Sequence, residues 1–421
     1  MIDRVRRFFA MLGPGLITGA ADDDPSGIST YSVAGASAGY SMLWLTLVST
    51  PMMSVIQGMC ARIAMVNGEG LAAIVRKRLP RWASYSLAAI VIAANTFNLG
   101  ADIGGMAAGA HLVLPLPVDA FVFVFGVLLL IAQTYLQYAT IARVLKWLTL
   151  SLFAYVVTAF VAHPPWGEVL LQFAVPRIHF EASWLSTMVG VLGTTITPYL
   201  FYWQSALMVE EDKESGKARI EQRRGTDEVA LKTMHADVNA GMIFSNLVAF
   251  FIIVTTAATL GAAGRHDIAT AQQAAEALRP LAGKFAELLF ALGMIGTGAL
   301  AVPVLATSSA YVAAETFRFR EGLSEKVRRA PRFYAIIAVG VLVGITMNLL
   351  RVNAIKALYW SAILNGVAAV PLLAVIVWLA SSRKVMGEWI SSPLARAWGW
   401  ATFALMGGAT AGMFYFMARG S

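Results

Sequence analysis

Eleven apolar runs, each about as long as a helix that crosses a bilayer, divide this 421-residue chain and leave little room for anything else. A helix needs about 20 residues to cross ~30 Å of hydrocarbon. The runs fall near 8–36, 41–66, 82–112, 118–138, 143–162, 184–209, 237–262, 286–317, 333–350, 354–380 and 394–417. Charged residues make up only 13% of the chain and hydrophobic ones 58%, against about 25% and 45–50% in a soluble domain. Those proportions exclude a soluble enzyme, a disordered chain and a DNA-binding domain. The net charge of +8 therefore belongs to loops flanking a membrane, and no nucleic-acid partner is expected. The longest polar stretch, about 210–236, reads as a loop. No cleavable signal is expected, because Asp22 to Pro25 interrupt the first apolar run before any small-residue cleavage site. Cys60 has no second cysteine to pair with and reads as a small core hydrophobe.

The charges orient the chain. With a cytoplasmic N-terminus, all but seven of the 32 Lys and Arg fall in the N-terminal tail or the even-numbered connections. The seven are Arg177, Arg265, Arg279, Lys284, Arg351, Lys356 and Arg419. An asymmetry of that size follows the positive-inside rule and places the C-terminus outside.

Two spans carry interrupted centres. The first contains Ala21-Asp22-Asp23-Asp24-Pro25-Ser26-Gly27, and the sixth contains Gly193-Thr194-Thr195-Ile196-Thr197-Pro198-Tyr199. Proline removes a backbone donor and disfavours helical geometry in the residue before it. Three carboxylates at membrane depth each cost several kcal/mol if they face lipid, so they must face protein or water. Breaks in spans five apart are the spacing of a transporter built from two inverted five-helix repeats, with discontinuous helices meeting at the midplane. Freed carbonyls near such breaks need partners, and a cation can supply one. Asp24 offers formal charge, the backbone near Ala21 offers a carbonyl, and Thr194 and Thr197 are spaced to share one helix face. These are hard oxygen donors, suited to Mg²⁺, Mn²⁺ or Ca²⁺. No Walker sequence, nucleophile elbow or Cys/His metal pattern occurs, so neither an ATP-driven pump nor an enzyme is expected.

At these residues the chain resembles the natural-resistance-associated macrophage protein (NRAMP) family of divalent-metal transporters. The likeness begins at Gly13-Pro14-Gly15 and runs through the eleventh span. That family carries Asp-Pro-Gly-Asn in its first broken helix, where this chain reads Asp24-Pro25-Ser26-Gly27, and Met-Pro-His in its sixth, where it reads Thr197-Pro198-Tyr199. Arg62 and the segment Arg383-Lys384-Val385-Met386-Gly387 also match. The resemblance implies an all-α membrane protein of eleven transmembrane helices. Its fold would be the LeuT-type 5+5 inverted repeat, with helices 1 and 6 broken and an extra helix 11. The repeats would run over 1–162 and 184–380, joined by an extracellular connection at 163–183, with the eleventh helix and C-terminus over 381–421.

The resemblance also implies a metal site: the carboxylate of Asp24, the carbonyls of Ala21 and Thr194, and the positions of Gly27 and Thr197. In the family, an asparagine and a methionine sulfur stand at the last two. Ala362 takes the place of a glutamine of the tenth helix. Fewer and harder ligands imply a wider site for a partly hydrated Mg²⁺, as in the magnesium-transporting branch, with Mn²⁺ also admitted. Proton-coupled members use a histidine and two third-helix acids; here those positions are Tyr199, Asn98 and Ala101. Uncoupled transport is therefore expected, driven by the gradient and by about 4.6 kcal/mol per 100 mV on a divalent ion. Asp102, one residue past a missing acid, could replace it. Asp22 and Asp23 read as lining the intracellular vestibule, either attracting cations or solvated at its wall. Asn98 and Asn246 are further pathway candidates; Asn95, Asn365 and Glu210 to Asp212 carry weaker signals. Two alternatives stay open: a proton-coupled Mn²⁺ importer, and an organic-amine or amino-acid symporter on the same fold. A metal sensor without flux is a third. The expected setting is a bacterial inner membrane, as a monomer, with the ion as cargo and no cofactor.

Overall fold

A computed structural model describes residues 18–19, 21–135, 151–323, 325–350 and 352–419. Among these residues the ordered elements are helices, and no strand occurs. Eight helices are long and apolar enough to cross a membrane: Leu43–Asn67, Arg81–Val113, Val118–Tyr135, Glu228–Gly261, Ala271–Phe317, Pro331–Leu349, Ala354–Ser381 and Pro393–Arg419. They correspond to the second, third, fourth and seventh to eleventh expected spans. The fifth appears as Phe153–Val161; its remainder, with Arg143 and Lys146, lies outside the described residues, as do Gly13 to Gly15 and most of the first half of span 1.

The first and sixth spans are discontinuous. Span 1 is helical at Ala21 and Asp22, leaves the helix at Asp23 and Asp24, and resumes as Pro25–Ala38. Span 6 consists of Ala182–Thr195 and Pro198–Glu214, separated by Ile196 and Thr197. Proline alone does not cause this. Pro51, Pro303 and Pro371 sit inside continuous helices. What distinguishes the two breaks is the preceding residue, which is extended at both: ψ is 171 at Asp24 and 137 at Thr197. Each residue stands at the N-cap position of the half-helix that follows, and Asp24 alone makes a side-chain capping bond.

The polar stretch expected to be a loop is mostly helical, a correction to the sequence reading. The sixth span continues to Glu214, a short turn covers Ile220–Arg223, and the seventh begins at Glu228 behind its N-cap Asp227. Glu210 is buried and paired with Lys213, and Asp212 pairs with Lys217, so these acids are bound into the helix end. Two further connections also fold: Trp166–Ala174 within 163–183, and Leu71–Arg78 between spans 2 and 3. The latter docks by its N-terminus. Ser205 Oγ accepts from the Leu71 amide at 3.1 Å, and the buried Glu315 carboxylate of span 8 accepts from Ala73 at 2.9 Å. An acceptor there satisfies orphan helix donors and complements the helix dipole.

The third and eighth spans form the most extensive helix pair, and the second half of span 1 lies along span 7. The first half of span 6 packs on span 10 with almost no separation. A Cβ at Gly193 would lie 2.1 Å from the Ala362 carbonyl oxygen and 2.4 Å from the Gly366 nitrogen. Small residues that let backbones touch are the usual basis of helix association in lipid. Here that contact fixes the height of the sixth-span break, which begins three residues further on.

Candidate functional site at the two helix breaks

Asp24 and Thr197 hold equivalent places, each immediately before a proline that opens a half-helix. Four residues before each proline stand Ala21 and Thr194. In a continuous helix their carbonyls would accept from residues 25 and 198, and proline has no N–H to give. The two breaks thus strip one carbonyl each of its helical donor, at the C-terminal ends of helical segments where the dipole favours a cation.

The Asp24 carboxylate is buried and fully oriented. Oδ1 accepts from Ser26 Oγ at 2.6 Å and from the Gly27 amide at 2.7 Å, while Oδ2 accepts from Asn98 Nδ2 at 3.0 Å. Buried side-chain oxygens without a hydrogen bond of their own remain in these segments: Asp22 Oδ1 and Asp23 Oδ2 in the first break, Thr197 Oγ1 in the second, and Asn98 Oδ1 beside the carboxylate. Asp102 is fully buried within electrostatic reach of Asp24. No hydrogen bond or ion pair joins Asp22, Asp23, Asp24 or Asp102 to a Lys, Arg or His among the described residues. Buried carboxylates without such a partner are costly. The available donors are carboxylate, hydroxyl, amide and carbonyl oxygens, a hard set. Among the described residues no three His, Cys, Asp or Glu side chains converge to hold an ion, so any cation bound here relies on neutral oxygens beside Asp24.

Several expectations need correction. Thr194 and Thr197 do not share a helix face, because the helix ends at Thr195 and Thr197 lies in the extended break. Thr194 instead donates to the Tyr31 hydroxyl at 2.8 Å. The Ala21 carbonyl is not bare: the Tyr199 hydroxyl donates to it at 2.8 Å. Asp22 and Asp23 do not line a vestibule, since both are buried. Ser245 Oγ reaches Asp22 Oδ2 at 2.6 Å and Asp23 Oδ1 at 3.2 Å. Asn246 faces the second span, accepting from Ser49 at 2.8 Å and donating towards Met53 Sδ. Asn95 bonds Ser309 across the third and eighth spans.

The widening implied by the lost ligands is partly filled. A Cβ on Gly27 would come within 3.3 Å of the Tyr31 ring, and Ala362 lies against Gly190 and Gly193. Above the site, a cavity of about 440 Å³ is lined by Glu181, Thr187, Asp267, Lys356 and Tyr359 among others. A 2.8 Å hydrogen bond joins the Thr187 and Tyr359 hydroxyls, two helical turns before Thr194.

Sequence reading missed Ser26, Tyr31 and Ser245. Ser26 follows from Asp24 acting as an N-cap, whose side chain gathers donors two and three residues on. Tyr31 lies one turn past Gly27 on the same half-helix, but its bond to Thr194, like the bonds of Ser245, spans more than 160 residues of sequence.

A profile of the natural resistance-associated macrophage protein-like family matches residues 15–416. Relatives include the divalent metal cation transporter MntH of Verminephrobacter eiseniae, 28% identical over 388 residues, covering 90% of this chain and 82% of that protein. MntH of Aeromonas hydrophila is 27% identical over 419 residues, 96% of each. Among solved structures, a manganese transporter of Eremococcus coleocola superposes with a TM-score of 0.71 at 20% identity, covering 97% of this chain and 86% of the other. Mhp1, a nucleobase-cation-symport-1 family transporter, does so at 0.54 and 14%, covering 97% and 93%. The likenesses give the fold: an all-helical membrane protein of the LeuT type, with its first and sixth helices broken.

Proposed function

The chain belongs to the natural resistance-associated macrophage protein-like family, and from that premise we propose that it carries divalent metal cations through a membrane by alternating access, with Mg²⁺ as principal cargo and Mn²⁺ also admitted. One observation carries this reading. Two helices broken at proline meet beside a buried carboxylate and carbonyls stripped of their helical donors, and among the described residues no basic side chain is bonded to that carboxylate. A dication supplies the missing charge. The ligands are Asp24, the carbonyls of Ala21 and Thr194, and Thr197, with Gly27 contributing no side chain. Mg²⁺ dehydrates reluctantly and is commonly held by one or two carboxylates with several waters kept. Hydroxyl oxygen at position 197, rather than sulfur, favours such a hard ion.

Transport runs without protons on this reading. Asn98 is a neutral donor to Asp24, and Tyr199 bonds a carbonyl. The histidines with described bonds are engaged elsewhere: His235 with Arg62, His266 with the Ala36 carbonyl, and His111 with that of Leu116. The protein is a monomeric transporter, not an enzyme, in a bacterial inner membrane with its N-terminus cytoplasmic. Reconstituted vesicles holding a Mg²⁺-sensitive dye and a pH probe test this. Mg²⁺ entry without acidification is expected. A second reading, proton-coupled Mn²⁺ import, is favoured by the buried Asp102 within electrostatic reach of Asp24. Acidification accompanying Mn²⁺ entry, with no Mg²⁺ entry, would establish it.

Thr197→Met tests the ligand set directly. Sulfur in place of the orphaned hydroxyl should shift the Mn²⁺ or Cd²⁺ over Mg²⁺ uptake ratio upwards by about tenfold, a difference near 1.4 kcal/mol. Equal ratios in competition uptake would remove residue 197 from the ion's coordination sphere.

A further inference from the structure

We propose that the Tyr199 hydroxyl is a stand-in for the ion, holding the two broken helices together when the site is empty. The inference rests on the transport reading above and adds a residue that governs the unloaded half of the cycle.

The Ala21 carbonyl has lost its helical donor to Pro25, and a buried carbonyl left unpaired in lipid is costly. Tyr199 Oη donates to it at 2.8 Å, across 178 residues of sequence, from the first turn of the sixth span's second half. The phenol presents partial positive charge where a cation would present a full one. Tyr199 is buried and shares an apolar cluster with Ala21, Ile103, Met106 and Val302, so water is a poor competitor for this bond. Its own carbonyl is held in turn by Ser308 Oγ of span 8, at 2.8 Å. One residue therefore links the first, sixth and eighth spans at the level of Asp24.

An uncoupled carrier must return empty after each delivery, and that return passes through a closed state without cargo. The Tyr199–Ala21 bond stabilises such a state. An ion at the same carbonyl competes with the hydroxyl for the electron density of its oxygen, so the residue also opposes loading. Its removal should separate two fluxes that a merely structural role would change together. Net uptake into ion-free vesicles requires the empty return, whereas exchange of labelled for unlabelled Mn²⁺ at equal concentration on both sides does not.

For Tyr199→Phe, the ratio of net Mn²⁺ uptake to Mn²⁺ exchange should fall about tenfold, matching the loss of one well-made buried hydrogen bond. Ser308→Ala should move the ratio the same way by about threefold. In detergent, the rise in melting temperature caused by saturating Mn²⁺ should be larger for Tyr199→Phe than for the wild type, because only the empty form has lost a bond. An unchanged flux ratio in a folded Tyr199→Phe protein, or an unchanged Mn²⁺-induced melting shift, would overturn the stand-in role. If the wild type shows no divalent flux in either mode, the transport reading itself fails, so the two failures are told apart.

Discussion

Asp24→Asn abolishes divalent uptake, at least a hundredfold below wild type, while the protein inserts, purifies and melts at the same or a higher temperature. The substitution keeps the size of the side chain and an oxygen that can accept from Ser26 and Gly27, which hold Oδ1 at 2.6 and 2.7 Å. It removes the one formal charge on the proposed ligand set. A hundredfold loss corresponds to about 2.7 kcal/mol, modest for a charge facing a dication in a water-poor site. Stability should move the other way. Asp24 shares its surroundings with Asp22, Asp23 and Asp102, and among the described residues no base pairs with any of them; neutralising one member relieves both burial and repulsion. Uptake of Mn²⁺ by reconstituted vesicles and a thermal melt in detergent measure the two effects separately. Transport within threefold of wild type would place the ion elsewhere, and a collapsed melt would make Asp24 a structural residue.

Gly193→Val should eliminate folded protein. No real Cβ sits 2.1 Å from a carbonyl oxygen, and the obstacle is span-10 backbone at Ala362 and Gly366, not a side chain that can swing aside. The helices would have to separate by more than an ångström along a contact packed to interior density. The expected cost exceeds about 4 kcal/mol, the range reserved for gross steric or cavity defects. Gly193→Ala should be milder yet still severe, and Gly408→Ala, with nothing within 4 Å of its Cβ position, should be silent. Fluorescence-detected gel filtration of the three variants gives the order. A monodisperse Gly193→Val at wild-type yield would mean that the sixth and tenth spans do not touch as described.

How far the sequence foretold the molecule depends on whether the deciding force was local. The spans were readable because hydrocarbon thickness sets their length. The break at Asp24 was readable because charge at depth and proline coincide; that at Thr197 had only its proline and its place five spans on, and Pro51, Pro303 and Pro371 show that proline by itself would have misled. Thr194 and Thr197 were placed on one face by assuming the helix ran through the break it predicts. Asp22 and Asp23 were read as vestibule residues; the one hydroxyl that reaches an oxygen of each, Ser245 Oγ, lies more than 200 residues away. The connector Leu71–Arg78 was invisible for a similar reason. It is short, and its N-terminus is completed by Ser205 and Glu315 from other spans.

The absence of an amide at Pro25 and at Pro198 has a consequence for how such a protein can change over generations. Two of the oxygens in the proposed cradle belong to the main chain, and they are freed by imino acids four positions downstream. No side-chain replacement at Ala21 or Thr194 can delete them. A lineage can therefore swap what stands at 27, 197 and 362, and so try out new cargoes, while the frame that receives them is inherited intact. Only replacement of a proline, by giving the carbonyl back its donor, dismantles the frame itself.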